Sequence, residues 1–136
     1  MNRRLLVVDD EAHILQVLIL KLRNAGYDVV TAVDGEEGLD VAKRDLPHLI
    51  ITDFQMPYMT GLEMCKALGR DETTRHIPVV MLTARGYALE DEDLHDCNIR
   101  EMIGKPFSPR ALVELVDRIL TSASGDIGPR KRADAA

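Results

Sequence analysis

The sequence has no apolar run long enough to cross a bilayer, and its first twenty residues carry Arg3, Arg4, Asp9, Asp10 and Glu11 where a leader would be uncharged. Neither a secretory signal nor a membrane span is expected, and the chain is read as cytoplasmic. An excess of positive charge is also missing: 17 Lys and Arg stand against 23 Asp and Glu, a formal net charge of -6. That surface is a poor counter-ion for a phosphate backbone, which argues against direct nucleic-acid binding and for protein partners. Cysteine is scarce. Cys65 and Cys97 show neither a CxxC nor a Cys/His spacing and both fall in stretches of helical character, so buried free thiols in a reducing compartment are expected. His13, His48, His76 and His95 share no metal-binding spacing and are read as surface or capping residues.

What is present fits one domain, since 136 residues close a single core and are too few for two. The apolar run Leu5 to Val8 ends in Asp9-Asp10-Glu11 and reads as a buried parallel strand. A helical stripe follows at Ile14, Leu15, Leu18, Ile19 and Leu22, with Gly26 as a left-handed stop. Residues 28 to 32 predict a second strand, and Asp34 with Glu37 a capping pair opening a helix to about residue 44. Leu49 to Thr52 is a third strand that delivers Asp53 beside the Met56-Pro57 break. Thr60 and Glu63 form a second capping box, before a helix with Leu62, Cys65 and Leu68 on one side. Val79 to Leu82 is a fourth strand ending at Thr83, followed by a weaker helix over 86–96. A short fifth strand, 101–103, leads through Lys105-Pro106-Phe107 to Ser108-Pro109, an N-cap with proline at the first helical position. The last helix turns Leu112, Leu115, Val116, Ile119 and Leu120 inward. Residues 1–121 are therefore read as the folded domain and 122–136, rich in Ser, Gly, Ala and Asp with one Arg130-Lys131-Arg132 cluster, as a flexible tail or linker.

Strands that alternate with helices imply an α/β fold, a doubly wound five-stranded parallel sheet with helices on both faces and right-handed crossovers. Ligands of such sheets bind at the carboxyl ends of the strands, at the switch point. In a flavodoxin-like order 2-1-3-4-5, the first, third, fourth and fifth strands are contiguous. They end in Asp9 and Asp10, Asp53, Thr83 and Lys105, while the outlying second strand ends in the unreactive pair Ala32-Val33. Three carboxylates in one crevice repel each other unless a cation compensates, and Mg2+ or Mn2+ suits such oxygen ligands together with a phosphoryl oxygen. Lys105 offers a point charge and Thr83 a hydroxyl to phosphoryl oxygens, which leaves Asp53 as the nucleophile.

With these residues in place, the chain resembles a response-regulator receiver domain of the CheY-like family, from about Arg4 to Thr121. Val7 to Glu11, Asp53 with Met56-Pro57 and Gly61, Leu82-Thr83-Ala84 and Lys105-Pro106-Phe107 carry the likeness. The resemblance implies that Asp53 accepts a phosphoryl group from the phosphohistidine of a sensor histidine kinase or phosphotransfer protein, or from small donors. It implies magnesium held by Asp10 and Asp53, by Asp9 largely through water, and by the main-chain carbonyl of Gln55. It further implies Lys105 paired with the phosphoryl oxygens, a Thr83 that moves toward them, and a cis Lys105-Pro106 bond. Output would pass to a protein target or output domain through the fourth helix (86–96), fifth strand and fifth helix, from a monomer or a phosphorylation-dependent dimer.

One residue departs from the family pattern, and two others stand at positions where the family varies. Met102 stands three residues before the lysine, where the family has a Tyr or Phe that swings inward, so signalling is expected to run mainly through the loop after the fourth strand and the helix beyond it. Gln55 and Arg85, two residues beyond Asp53 and Thr83, occupy positions that tune acyl-phosphate hydrolysis, and an Arg85 guanidinium there is expected to slow it. Phe54 is read as exposed beside the site, or packed; Met56, Met59 and Met64 as packing. Two other readings remain: a magnesium phosphatase of the haloacid dehalogenase type, disfavoured because its Asp-x-Asp motif would follow the first strand, and a receiver-like docking module that has lost phosphorylation, disfavoured by the full set of site residues.

Overall fold

The first strand, β1 (Arg4–Val8), is buried from Leu5 onward, as its unbroken apolar run requires of a strand covered on both faces. In the structure, a computed structural model that describes residues 3–84 and 97–125, it lies inside a five-stranded parallel sheet. The other strands are β2 (Asp28–Ala32), β3 (Leu49–Asp53), β4 (Val79–Thr83) and β5 (Ile99–Gly104), in the order β2-β1-β3-β4-β5. The expected topology is therefore present. The helix predicted over 86–96, with Arg85 and His95, and the residues from 126 on lie outside the described residues.

Alternation along the central strands divides the core into two layers. Leu5 and Val7, Leu49 and Ile51, and Val80 and Leu82 face α1 (Ala12–Asn24) and the last helix, α4 (Pro109–Gly125). On the other face Leu6 and Val8, Ile50, Val79 and Met81 meet α2 (Gly35–Asp45) and α3 (Gly61–Gly69). The five inward residues expected of the last helix are all buried, and the helix continues to Gly125, past residue 121 where its periodicity fades. Of the α1 stripe, Leu15, Leu18 and Leu22 are buried while Ile14 and Ile19 pack at its margin. Among the described residues, no helix is long and apolar enough to cross a membrane.

Local chemistry sets the element ends. Gly26 takes a φ of 102°, the left-handed geometry that lets the chain leave α1 and enter β2. Asp34 accepts a hydrogen bond from the Glu37 amide at 2.8 Å, and Thr60 with Glu63 closes both bonds of a capping box. In β5, Val79 and Val80 pair with Ile99 and Glu101, so Arg100 is an extra residue at this edge of the sheet.

Two expectations are corrected, and a choice left open is settled. Cys97 lies in a bend immediately before β5, not on a helix, and is half-buried; only Cys65 is fully enclosed. Of the two readings of Phe54, the packed one holds: it is buried, 6% exposed, in the layer shared with α2 and α3. The fifth strand is six residues long, because backbone pairing to β4 begins at Ile99, before any apolar alternation is visible. Met56 and Met64 are buried, Met59 packs against the same cluster, and His13, His48 and His76 are exposed; His48 Nδ1 accepts the Arg4 amide.

Candidate functional site

Parallel pairing aligns the carboxyl ends of β1, β3, β4 and β5 along one edge. Register matches Val8 with Thr52, Asp53 with Leu82 and Thr83 with Gly104, so the residues that follow converge at the sheet's end. Backbone bonds hold this rim: the Phe54 amide donates to the Leu82 carbonyl at 2.7 Å and the Lys105 amide to the Thr83 carbonyl at 2.8 Å. Next to it, Gly61 is required by space. A Cβ there would stand 2.3 Å from the Asp53 carbonyl oxygen, and the Gly61 amide itself donates to Phe54 at 2.8 Å.

Asp9 and Asp53 are almost fully buried, Asp10 is exposed, and the three offer carboxylate oxygens that lie within 4.8 Å of one another. Lys105 reaches back over them, its Nζ 3.0 Å from Asp53 Oδ1 and 3.6 Å from Asp9 Oδ2. Burial pushes both buried carboxyls up in pKa; the lysine opposes this, while neighbouring acids add to it. Burial pulls the Lys105 ammonium down, but its hydrogen bond to Asp53 and the charges of Asp53, Asp9 and Glu11 outweigh that and raise it. Asp9 Oδ1 accepts the Glu11 amide at 2.9 Å. Its Oδ2 is buried and has no hydrogen-bond partner, only the longer approach of Lys105. A buried carboxylate oxygen is costly in that state. An orphaned oxygen aimed into a three-acid cluster is what a hard divalent cation would satisfy, so the residues present fit one.

Other site residues lie at the rim. The Thr83 hydroxyl is buried and donates to the Ala84 carbonyl at 3.3 Å. Gln55 is exposed two residues past Asp53, and the Lys105-Pro106 bond is cis. Met102 is half-buried and packs in the layer shared with α2 and α3. Arg85 lies outside the described residues.

Two features of this segment had no sequence signal. The Thr52 hydroxyl donates to the Asp53 carbonyl at 3.0 Å, a bond that only the strand geometry discloses. Tyr58, in the loop between β3 and α3, has a φ of 71° and is 99% exposed, on a residue type for which left-handed backbone is uncommon.

The comparisons with known proteins agree with this geometry. The family described as response regulator receiver domain matches residues 5–117. The chain is 39% identical over 120 residues to the alkaline phosphatase synthesis transcriptional regulatory protein PhoP of Bacillus subtilis (strain 168), covering 88% of this chain and 49% of that protein. It is 39% identical over 127 residues to the phosphate regulon transcriptional regulatory protein PhoB of Klebsiella pneumoniae, covering 91% and 54%. It thus spans about half the length of these curated relatives. Among solved structures, the chemotaxis response regulator CheY4 of Vibrio cholerae superposes with a TM-score of 0.79 at 33% identity, covering 88% of this chain and 99% of that one.

Proposed function

We propose, from the premise that this chain belongs to the response regulator receiver domain family, that it is a phosphorylation switch of a two-component system and that Asp53 is its phosphoacceptor. The observation that carries the proposal is Lys105, whose ammonium spans Asp53 and Asp9 at the mouth of a three-acid crevice. In the reaction, an Asp53 carboxylate oxygen attacks the phosphorus of a phosphohistidine on a sensor kinase or phosphotransfer protein. The N–P bond breaks, the imidazole nitrogen keeps the electron pair and takes a proton, and an acyl phosphate forms on Asp53. Lys105 shifts its ion pair from the Asp53 carboxylate to the phosphoryl oxygens. The Thr83 hydroxyl exchanges the Ala84 carbonyl for one of them. Asp9, Asp10, Asp53 and the Gln55 carbonyl would hold a Mg2+ or Mn2+ ion, which supplies charge neutralisation for the transferring group.

The domain is a phosphoacceptor and not a classical enzyme. Residues 1–121 act as the receiver and 122–136, into which the end of α4 runs as far as Gly125, as the tail or linker, in a cytoplasmic protein that works as a monomer or a phosphorylation-dependent dimer. The curated relatives are named as transcriptional regulators, and the output here is altered binding to a protein target or output domain through residues 86–96, β5 and α4. Met102 cannot act as an aromatic switch, so the change passes mainly through Thr83 and the residues after it, while Arg85 slows loss of the phosphoryl group. The test is stoichiometry: with magnesium and acetyl phosphate, the chain retains up to one phosphoryl group and Arg85→Ala shortens its lifetime. Multiple turnover of phosphate monoesters would overturn the switch reading in favour of a phosphatase, and an unchanged lifetime would remove Arg85 from it.

A further inference from the structure

Cys65 and Cys97 are far apart in sequence, yet the fold sets them side by side. Cys65 lies on the inner face of α3 at 1% exposure, in the layer with Met64 and Met81, and Cys97 packs against that layer from the bend before β5. Both side chains belong to that one layer, and Cys97 is the foremost influence on the Cys65 thiol. The two sulfurs differ in access. Cys65 is enclosed, and the influence of Cys97 together with burial raises its thiol well above the usual range, whereas half-buried Cys97 meets solvent.

We propose that Cys65 and Cys97 are a dithiol redox site, oxidised by hydrogen peroxide to an intramolecular disulfide that ties α3 to the start of β5. The Cys97 thiolate attacks one peroxide oxygen; the O–O bond breaks, leaving a sulfenic acid on Cys97 and hydroxide, which takes up the thiol's proton as water. The Cys65 sulfur then attacks the sulfenic sulfur, the S–O bond breaks, and the departing hydroxide takes the Cys65 proton as a second water. Two thiols and one peroxide become one disulfide and two waters. A cytosolic thiol reductant reverses the step, which suits a transient, sensing disulfide.

The pair's position gives the cross-link a consequence. α3 follows the loop that leaves Asp53, and β5 carries Met102 in the same apolar layer, so a bond between them stiffens the packing around the residue that replaces the family's aromatic. The inference stands on the two thiols and does not depend on phosphorylation.

The test uses the reduced full chain, treated with a low ratio of hydrogen peroxide, quenched with N-ethylmaleimide and mapped without reductant. The expected product is a monomer lighter by two hydrogens, with the Cys65 and Cys97 peptides joined and separated again by dithiothreitol. Cys65→Ala, checked for native circular dichroism, is expected to hold Cys97 as a sulfenic acid, labelled by dimedone several-fold more than the parent. Cys97→Ser, at the half-buried position, is expected to leave Cys65 unoxidised at the same peroxide ratio. Oxygen adducts in the parent without a joined peptide, or links only between chains, would overturn the proposal. Equal peroxide sensitivity of Cys65 in Cys97→Ser would overturn the assigned order of attack.

Discussion

At the residue scale, the site concentrates negative charge that Lys105 compensates only in part. Asp9 and Asp53 are raised chiefly by burial, so the folded state binds their protons more tightly than the unfolded chain. Stability they allow at low pH is lost as pH rises from the ordinary carboxylate range upward. Lys105, raised by its partners, contributes stability below its ordinary pKa and loses it as pH rises through the higher folded value, so it does not offset that loss between acid and neutral pH. Asp9→Asn keeps the oxygen that accepts the Glu11 amide and removes the charge. In metal-free buffer, its melting temperature is expected to gain on the parent progressively as pH rises above the ordinary carboxylate range. Parallel curves in thermal unfolding would contradict this. The acids themselves were legible, because each follows an apolar run. The inward turn of Phe54 and the Thr52 hydroxyl were not, since side-chain direction at a strand end depends on neighbours brought in from other strands.

At the element scale, the segment from Asp53 to α3 is held by backbone contacts. Gly61→Ala would place a Cβ 2.3 Å from the Asp53 carbonyl, and the backbone must move to admit it. The expected cost is about 1–3 kcal/mol in denaturant unfolding, with loss of Asp53 phosphorylation in the folded fraction. Thr60→Ala removes one half of the capping box and is expected to cost about 1 kcal/mol while leaving phosphorylation intact. Equal effects of the two on phosphorylation would show that Gly61 acts only through the stability of α3. The Asp34 cap, the Thr60–Glu63 capping box and the stripe of α4 could be read in advance, because they depend on local spacing. The start of β5 and the place of Cys97 could not: pairing of Ile99 with Val79 is a non-local contact at a sheet edge where apolar alternation is weak. Addition of beryllofluoride is expected to shift backbone resonances at Thr83 and Ala84 more than at Met102, and the reverse would restore Met102 as the main relay.

At the scale of the whole molecule, strand order decides what the sequence's scattered acids become. Alternating elements implied a parallel sheet, and the flavodoxin-like order β2-β1-β3-β4-β5 gathers the ends of β1, β3, β4 and β5 while leaving β2 aside. The fold positions a cation site whose occupant should stabilise the protein by mass action, about 2.7 kcal/mol at a hundredfold excess over Kd. Magnesium is expected to raise the parent's melting temperature, and Asp10→Asn, an exposed change outside the core, to abolish most of that rise. An equal rise in the variant would place the ion elsewhere. The central claim is the identity of the phosphoacceptor, and borohydride trapping reads it directly, because an aspartyl phosphate is reduced to homoserine. After magnesium and acetyl phosphate, peptide sequencing by mass spectrometry is expected to find homoserine at position 53, whereas an unmodified Asp53, or homoserine at position 9 or 10, would contradict it.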